Sequence, residues 1–170
     1  GEFLNGIPCG RGKLTHGPKN LFAGQIIEGS FIFHGDAMGN GIIKYPDSSE
    51  YEIYKGEIRH SDPHGKGELI FRDGSFYKGK FIEGAFHGIG FFSEKTGTNL
   101  LKYPNSKFEG EFNNDEINGF GKLTFEDGTS YEGTFKNNLM HGTGLITNLE
   151  GKIHKVTFEN GIAIYQKSEN

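Results

Sequence analysis

Three histidines recur at one position, each directly before a glycine: His64, His87 and His141. Imidazoles at matched places are what a zinc ion would take, but zinc needs its nitrogens at about 2.0–2.1 Å. If the intervening text is strand, neighbouring repeats stand two strands apart, roughly 9–10 Å. The histidines therefore read as turn residues, not ligands. Glu109 and Glu111 offer paired carboxylates, the equipment of glycoside hydrolysis. Two residues apart on a strand they share one face, as do Lys78 and Lys80. An open face has no deep pocket to raise one carboxyl pKa above the other. Gly10-Arg11-Gly12-Lys13 has the look of a phosphate loop, but the required pattern fails at Ile7 and at Leu14. No helix follows to hold a phosphate at its N-terminus. Cys9, the single cysteine, lies beside Pro8 with no base phrase near it, and it excludes an internal disulfide. The expectation is a non-enzyme with no cofactor and no metal.

The elements that carry these residues follow one ruler. A glycine two residues after an aromatic is followed by two more glycines at +9 and +11: Gly56 by Gly65 and Gly67, Gly79 by Gly88 and Gly90. Gly110 leads in the same way to Gly119 and Gly121, and Gly133 to Gly142 and Gly144. The surrounding text repeats too. Tyr77-Lys-Gly79-Lys-Phe81 and Phe108-Glu-Gly110-Glu-Phe112 are one phrase, and His87-Gly-Ile-Gly90 and Asn118-Gly-Phe-Gly121 a second. The period from Gly56 to Gly79, and from Gly110 to Gly133, is 23 residues. Repeats start near residues 1, 27, 54, 77, 108 and 131, with a closing half-repeat over 154–170. Gly1-Glu-Phe3 sets the chain's beginning inside a repeat, and an insertion falls at Ser93–Leu101.

A fixed period of this kind marks a repeat architecture. Several glycines per window, each costing about 1 kcal/mol against alanine, exclude helix. The period-two alternation of Tyr77-Lys-Gly79-Lys-Phe81 predicts strand, with rings and glycine on one face and lysines on the other. Residues 82–87 are expected to turn, Gly88 onward to return, and Asp73-Gly74 and Asp127-Gly128 to link successive hairpins. Rings lying flat on glycine backbone offset the weakness of glycine in a strand. The predicted fold is all-β: an elongated, twisted, single-sheet antiparallel array of β-hairpin repeats, about six of them.

These phrases, aromatic-x-Gly-x-aromatic then His/Asn-Gly-x-Gly at a period of 23, resemble the MORN repeat (membrane occupation and recognition nexus). The resemblance covers nearly the whole chain, which differs in having no tryptophan. It implies a single-sheet solenoid without chemistry of its own, used as a scaffold or adaptor in cytoskeletal, ciliary or membrane-apposed assemblies. It also implies peptide binding in a groove on one sheet face, phospholipid recognition as an alternative, and regulatory use beside a catalytic domain as another.

Composition bounds the function further. The 28 glycines among 170 residues are well above the roughly 7 % of ordinary chains. The 16 Phe and 7 Tyr are foreign to a disordered chain. The net charge of −4 is dispersed, with no basic block for nucleic acid and no polybasic stripe for an anionic bilayer. The expected site is the aromatic stripe Tyr54, Tyr77, Phe81, Phe108, Phe112, Tyr131 and Phe135. On a sheet one layer deep some of these rings should stay accessible and line a groove for a protein or peptide. The alternative is that they only seal the glycine backbone. A cytoplasmic site of work, at cytoskeleton or membrane, fits the single cysteine, and open edge strands allow a homodimer. The insertion at Ser93–Leu101 is expected to add specificity to the partner site.

Overall fold

Glycine placement decides how these strands are built. The structure is a computed structural model that describes residues 2–4, 7–17, 23–31, 38–97 and 100–164. Gly1, residues 98 and 99 of the insertion, and residues 165–170 of the closing half-repeat lie outside the described residues. The described residues fall into two compact units, Gly1–Ala85 and Phe86–Asn170.

Unit 1 is an open antiparallel sheet of β1 (Glu2–Leu4), β2 (Ile7–Thr15), β3 (Ile26–Phe31), β4 (Gly39–Lys44), β5 (Tyr51–Arg59), β6 (Asp62–Phe71) and β7 (Phe76–Ile82), side by side in chain order. Unit 2 repeats the plan with β8 (Ala85–Ser93), β9 (Lys107–Asn113), β10 (Glu116–Thr124), β11 (Ser130–Lys136), β12 (Leu139–Met140), β13 (Gly142–Thr147), β14 (Ile153–Glu159) and β15 (Ile162–Ile164). Here β12 is a short pairing to β11 beside the main path. The expected all-β antiparallel fold is the observed one.

The register lines up one glycine per strand. In unit 1, Gly12 faces Gly29, Gly41 faces Gly56, and Gly67 faces both Gly56 and Gly79. In unit 2, Gly110 faces Gly90 and Gly121, and Gly121 faces Gly133. Val156 takes the glycine's place opposite Gly144 where the ruler ends. The two glycines of each Gly-x-Gly do different work. Gly65 sits at φ 57°, left-handed backbone within a bulge, and the Glu57 carboxylate accepts the Lys66 N–H at 2.9 Å beside it. Gly67 has ordinary φ but no room: a Cβ there would stand 2.5 Å from Tyr54 Cζ.

The hairpin turns are shorter than expected. Residues 82–87 were to turn, but β7 runs to Ile82 and β8 starts at Ala85, leaving Glu83-Gly84. Both have positive φ, as have His60-Ser61, Asn114-Asp115, Asn137-Asn138 and Asn160-Gly161. Positive φ at both central residues is the two-residue turn that suits strand twist. The other turns are as expected. Gly74 N–H donates to Phe71 O and Gly128 N–H to Phe125 O, both at 3.0 Å. Asp73 and Asp127 accept the N–H of Ser75 and Thr129, each at 2.8 Å.

Candidate partner-binding surfaces

Each unit has two kinds of surface, set by strand alternation. On the inward face a ring at position i folds over the glycine at i+2. In the tyrosine repeats its hydroxyl then reaches the carbonyl at i+3: Tyr54 to Glu57 at 2.5 Å, Tyr77 to Lys80 at 3.0 Å and Tyr131 to Thr134 at 3.2 Å. Burial pushes the Tyr54 hydroxyl well above the usual tyrosine range and raises that of Tyr131, so both stay protonated donors. The second aromatic of each phrase packs edge-on against these rings. Phe81 meets Tyr54 and Tyr77 with centroids at 5.0 and 5.1 Å, and Phe135 meets Phe108 and Tyr131 at 4.9 and 5.3 Å. Phe112 meets Phe108 at 5.3 Å. Each such pair adds about 0.5–1.5 kcal/mol beyond its area.

Those contacts correct one expectation. All seven rings, Tyr54, Tyr77, Phe81, Phe108, Phe112, Tyr131 and Phe135, are 4 % exposed or less. The structure gathers three of them in unit 1 and four in unit 2, but as core. One layer of side chains suffices to hide them because each ring lies flat on glycine, and its upper edge is then covered by the next ring. An accessible groove must be lined by other residues.

The outward face supplies one such surface. It carries the middle residue of each Gly-x-Gly and the residues flanking the ladder glycines. In unit 1 it is mostly ionic: Lys55 faces Glu68, Glu68 faces Lys78, and Lys66 faces Lys80, with the half-buried Ile42 between Glu28 and Lys55. Glu28 lies 3.1 Å from Lys44 and 3.6 Å from Lys13, and the Lys44 hydrogen bond is the main cause holding its carboxyl below the usual range. In unit 2 the same face is mixed. Ile89 is 67 % exposed, Phe120 52 % and Leu145 43 %. Ile89 faces Glu111, Leu145 faces Glu132 and Lys155, and Lys122 lies between Glu109 and Glu132. Glu109 and Glu111 are both exposed, on the face the sequence assigned them.

The second surface is at the edge of the inward face, where the units differ. Leu69 faces Tyr54, and its counterpart Leu123 faces Phe108. Beside Leu69 opens a cavity of about 530 Å3 bounded by Ala23, Gln25, Tyr45, Pro46, Tyr51, Asp62, Pro63 and Gly84. Beside Leu123 the space is about 30 Å3, because the insertion enters it: Leu101 lines it with Phe135 and is 2 % exposed. Glu94, fully buried, ties the insertion down by accepting the N–H groups of Thr96, Gly97 and Leu101 at 3.2–3.3 Å. In unit 1 the short turn is held instead by Arg72, which donates to the carbonyls of Tyr45, Pro46 and Ser49 at 2.8–3.2 Å. Burial is the main cause raising the Asp62 carboxyl above the usual range; His60 opposes it and Glu83 adds to it.

Among the described residues no three His, Cys, Asp or Glu side chains gather as a metal-holding group. The outward residues were legible in the sequence, since strand parity alone places Ile89, Phe120 and Leu145 opposite the rings. The cavity was not legible, because it depends on a turn too short to fill it. A family model described as MORN repeat matches the chain at residues 1–18, 54–76, 77–98, 108–130 and 131–147, more than half its length.

Proposed function

The chain belongs to the MORN-repeat family, and from that premise we propose that it is a non-catalytic scaffold or adaptor module that binds a partner polypeptide. The observation that carries this reading is the outward face of unit 2. Ile89, Phe120 and Leu145 stand exposed on regular strands, where side-chain alternation would place polar residues. The exposed Glu109, Glu111 and Glu132 surround them. Apolar side chains within an acidic field suit a partner segment with apolar and basic residues. The same openness argues against catalysis on this face, since its glutamates stand exposed to solvent. The family's scaffold members support a cytoplasmic place of work in a cytoskeletal, ciliary or membrane-apposed assembly.

The test is quantitative affinity capture with the full chain against an Ile89→Ser/Phe120→Ser/Leu145→Ser variant shown to be folded by circular dichroism. Partners are expected to drop out with this variant and persist with Lys66→Glu. Identical partner profiles for all three proteins would remove the reading.

A second reading, recognition of an anionic phospholipid surface, is favoured by the exposed Lys55, Lys66, Lys78 and Lys80 on the outward face of unit 1. It predicts salt-sensitive co-sedimentation with phosphatidylserine vesicles that Lys66→Glu/Lys80→Glu abolishes. Equal sedimentation of variant and parent would exclude it.

A further inference from the structure

Unit 2 shows what the unit 1 cavity accepts. Ile117 in unit 2 holds the place of Pro63 in unit 1, and Asn138 that of Gly84, as the backbone bonds attest: Asn138 N–H donates to Ile117 O at 3.1 Å, and Gly84 N–H to Pro63 O at 2.9 Å. In unit 2 the Asn138 side chain also accepts the Ile117 N–H at 2.7 Å. Unit 1 removes both halves of that bond, since Pro63 has no N–H and Gly84 no side chain. No buried donor is orphaned, and the wall beside Leu69 becomes apolar and roomier. A tyrosine in each lining packs edge-on to a phenylalanine: Tyr51 to Phe71 at 5.2 Å, and Tyr103 to Phe125 at 5.0 Å. Two like sites therefore share a leucine floor and a tyrosine in the lining. One is filled by the chain's own Leu101, which Lys102 and Tyr103 follow, and the other has a volume typical of ligand sites. Asp62, on the rim of the open one, supplies a carboxylate.

We propose that the unit 1 cavity receives a leucine side chain from a partner polypeptide, with a basic residue next to it in the partner meeting Asp62. The leucine takes the place beside Leu69 that Leu101 takes beside Leu123. The inference rests on reading the chain as a polypeptide-binding module, and adds a second, separate contact in unit 1.

The probe is a synthetic peptide Asn-Leu-Leu-Lys-Tyr-Pro, which copies residues 99–104, titrated into the isotope-labelled full chain. Saturable shifts are expected at Leu69, Tyr45 and Tyr51. Aspartate in place of the second leucine should weaken binding by at least about tenfold. Norleucine in place of lysine should weaken it about threefold with the parent chain, and not at all with Asp62→Asn. Ser48→Trp, an exposed change at the mouth, should block the site and leave the fold intact. Shifts confined to Ile89, Phe120 and Leu145 would overturn the proposal while leaving the binding-module reading standing. No shift anywhere would also overturn it, and the capture experiment would then judge that reading by itself. Equal shifts from decanoate would overturn it in favour of a lipid-chain site. Dimerisation by sedimentation, abolished by Ser48→Trp, would overturn it in favour of a second copy of the chain.

Discussion

Beside Leu69 in unit 1 lies an open cavity of about 530 Å3, and beside Leu123 in unit 2 about 30 Å3. The floor is the same in both: a leucine facing the ring that covers the ladder glycines. The difference comes from the turn at the sheet's edge. Unit 1 crosses from β4 to β5 on residues 45–50, tied to Arg72. Unit 2 crosses from β8 to β9 on residues 94–106, long enough to bring Leu101 inward under the hold of Glu94. The outward faces differ in the same spirit, mostly ionic in unit 1 and with exposed apolar side chains in unit 2. A single backbone plan thus leaves one unit with a vacancy and the other with exposed apolar side chains. The repeat sets the scaffold, and the residues it leaves free set what each unit exposes.

The sharpest test of the shared plan is its glycine ladder. Gly67→Val forces a side chain into the Tyr54 ring, and Gly121→Val forces one into the Phe108 ring and the Glu109 carbonyl. Both should cost about 3 kcal/mol or more by chemical denaturation. A mild loss in one unit alone would show that the two ladders are not equivalent.

Leu101→Ala probes the difference. It should cost about 2–4 kcal/mol, with increased hydrogen exchange in unit 2. Replacing Leu101 should also leave room for a leucine side chain beside Leu123, so that the Leu-Lys peptide then perturbs Leu123 as well. A loss under about 1 kcal/mol would mean that the insertion rests on the surface.

The smallest effect is electrostatic, and its sign differs between the units. Asp62 has a raised folded-state pKa from burial, so its ionisation opposes folding. That penalty grows as pH rises from the unfolded value through the raised one, and is absent below both. Asp127 has a lowered folded-state pKa, chiefly from its side-chain hydrogen bond with Thr129. Its contribution is present above the unfolded value and lost as pH falls through the folded one. Asp62→Asn should therefore raise the melting temperature at neutral pH and not at pH 3. Asp127→Ala should lower it at neutral pH, and lower it less at pH 3. Melting curves of both variants across this range check the signs, and parallel shifts would contradict them.

Much of the fold was legible because its causes are local. Tyr77-Lys-Gly79-Lys-Phe81 can only alternate as strand, Asp73-Gly74 and Asp127-Gly128 are turn chemistry, and the +9 and +11 glycines mark a bulge and a close approach within one hairpin. The hairpin turn at 82–87 was placed too wide because Glu83-Gly84 lacks the usual Asn-Gly signature, though both residues adopt the same positive φ. The accessibility of the rings was not legible, for a different reason. That Tyr131 should lie on glycine is written in its own strand, but whether its outer edge stays open depends on Phe135 and Phe158, packed edge-on at 5.3 and 5.2 Å.

The sequence by itself determined strand parity, the glycine ladder and the face on which Ile89, Phe120 and Leu145 stand, since steric limits on φ and ψ act within a few residues. Only the tertiary structure decided that the rings are core, that Leu101 fills its own unit and that Leu69 borders an open cavity. Burial is a property of what distant segments bring to a place, and a turn of a few residues more or less changes it without altering any strand.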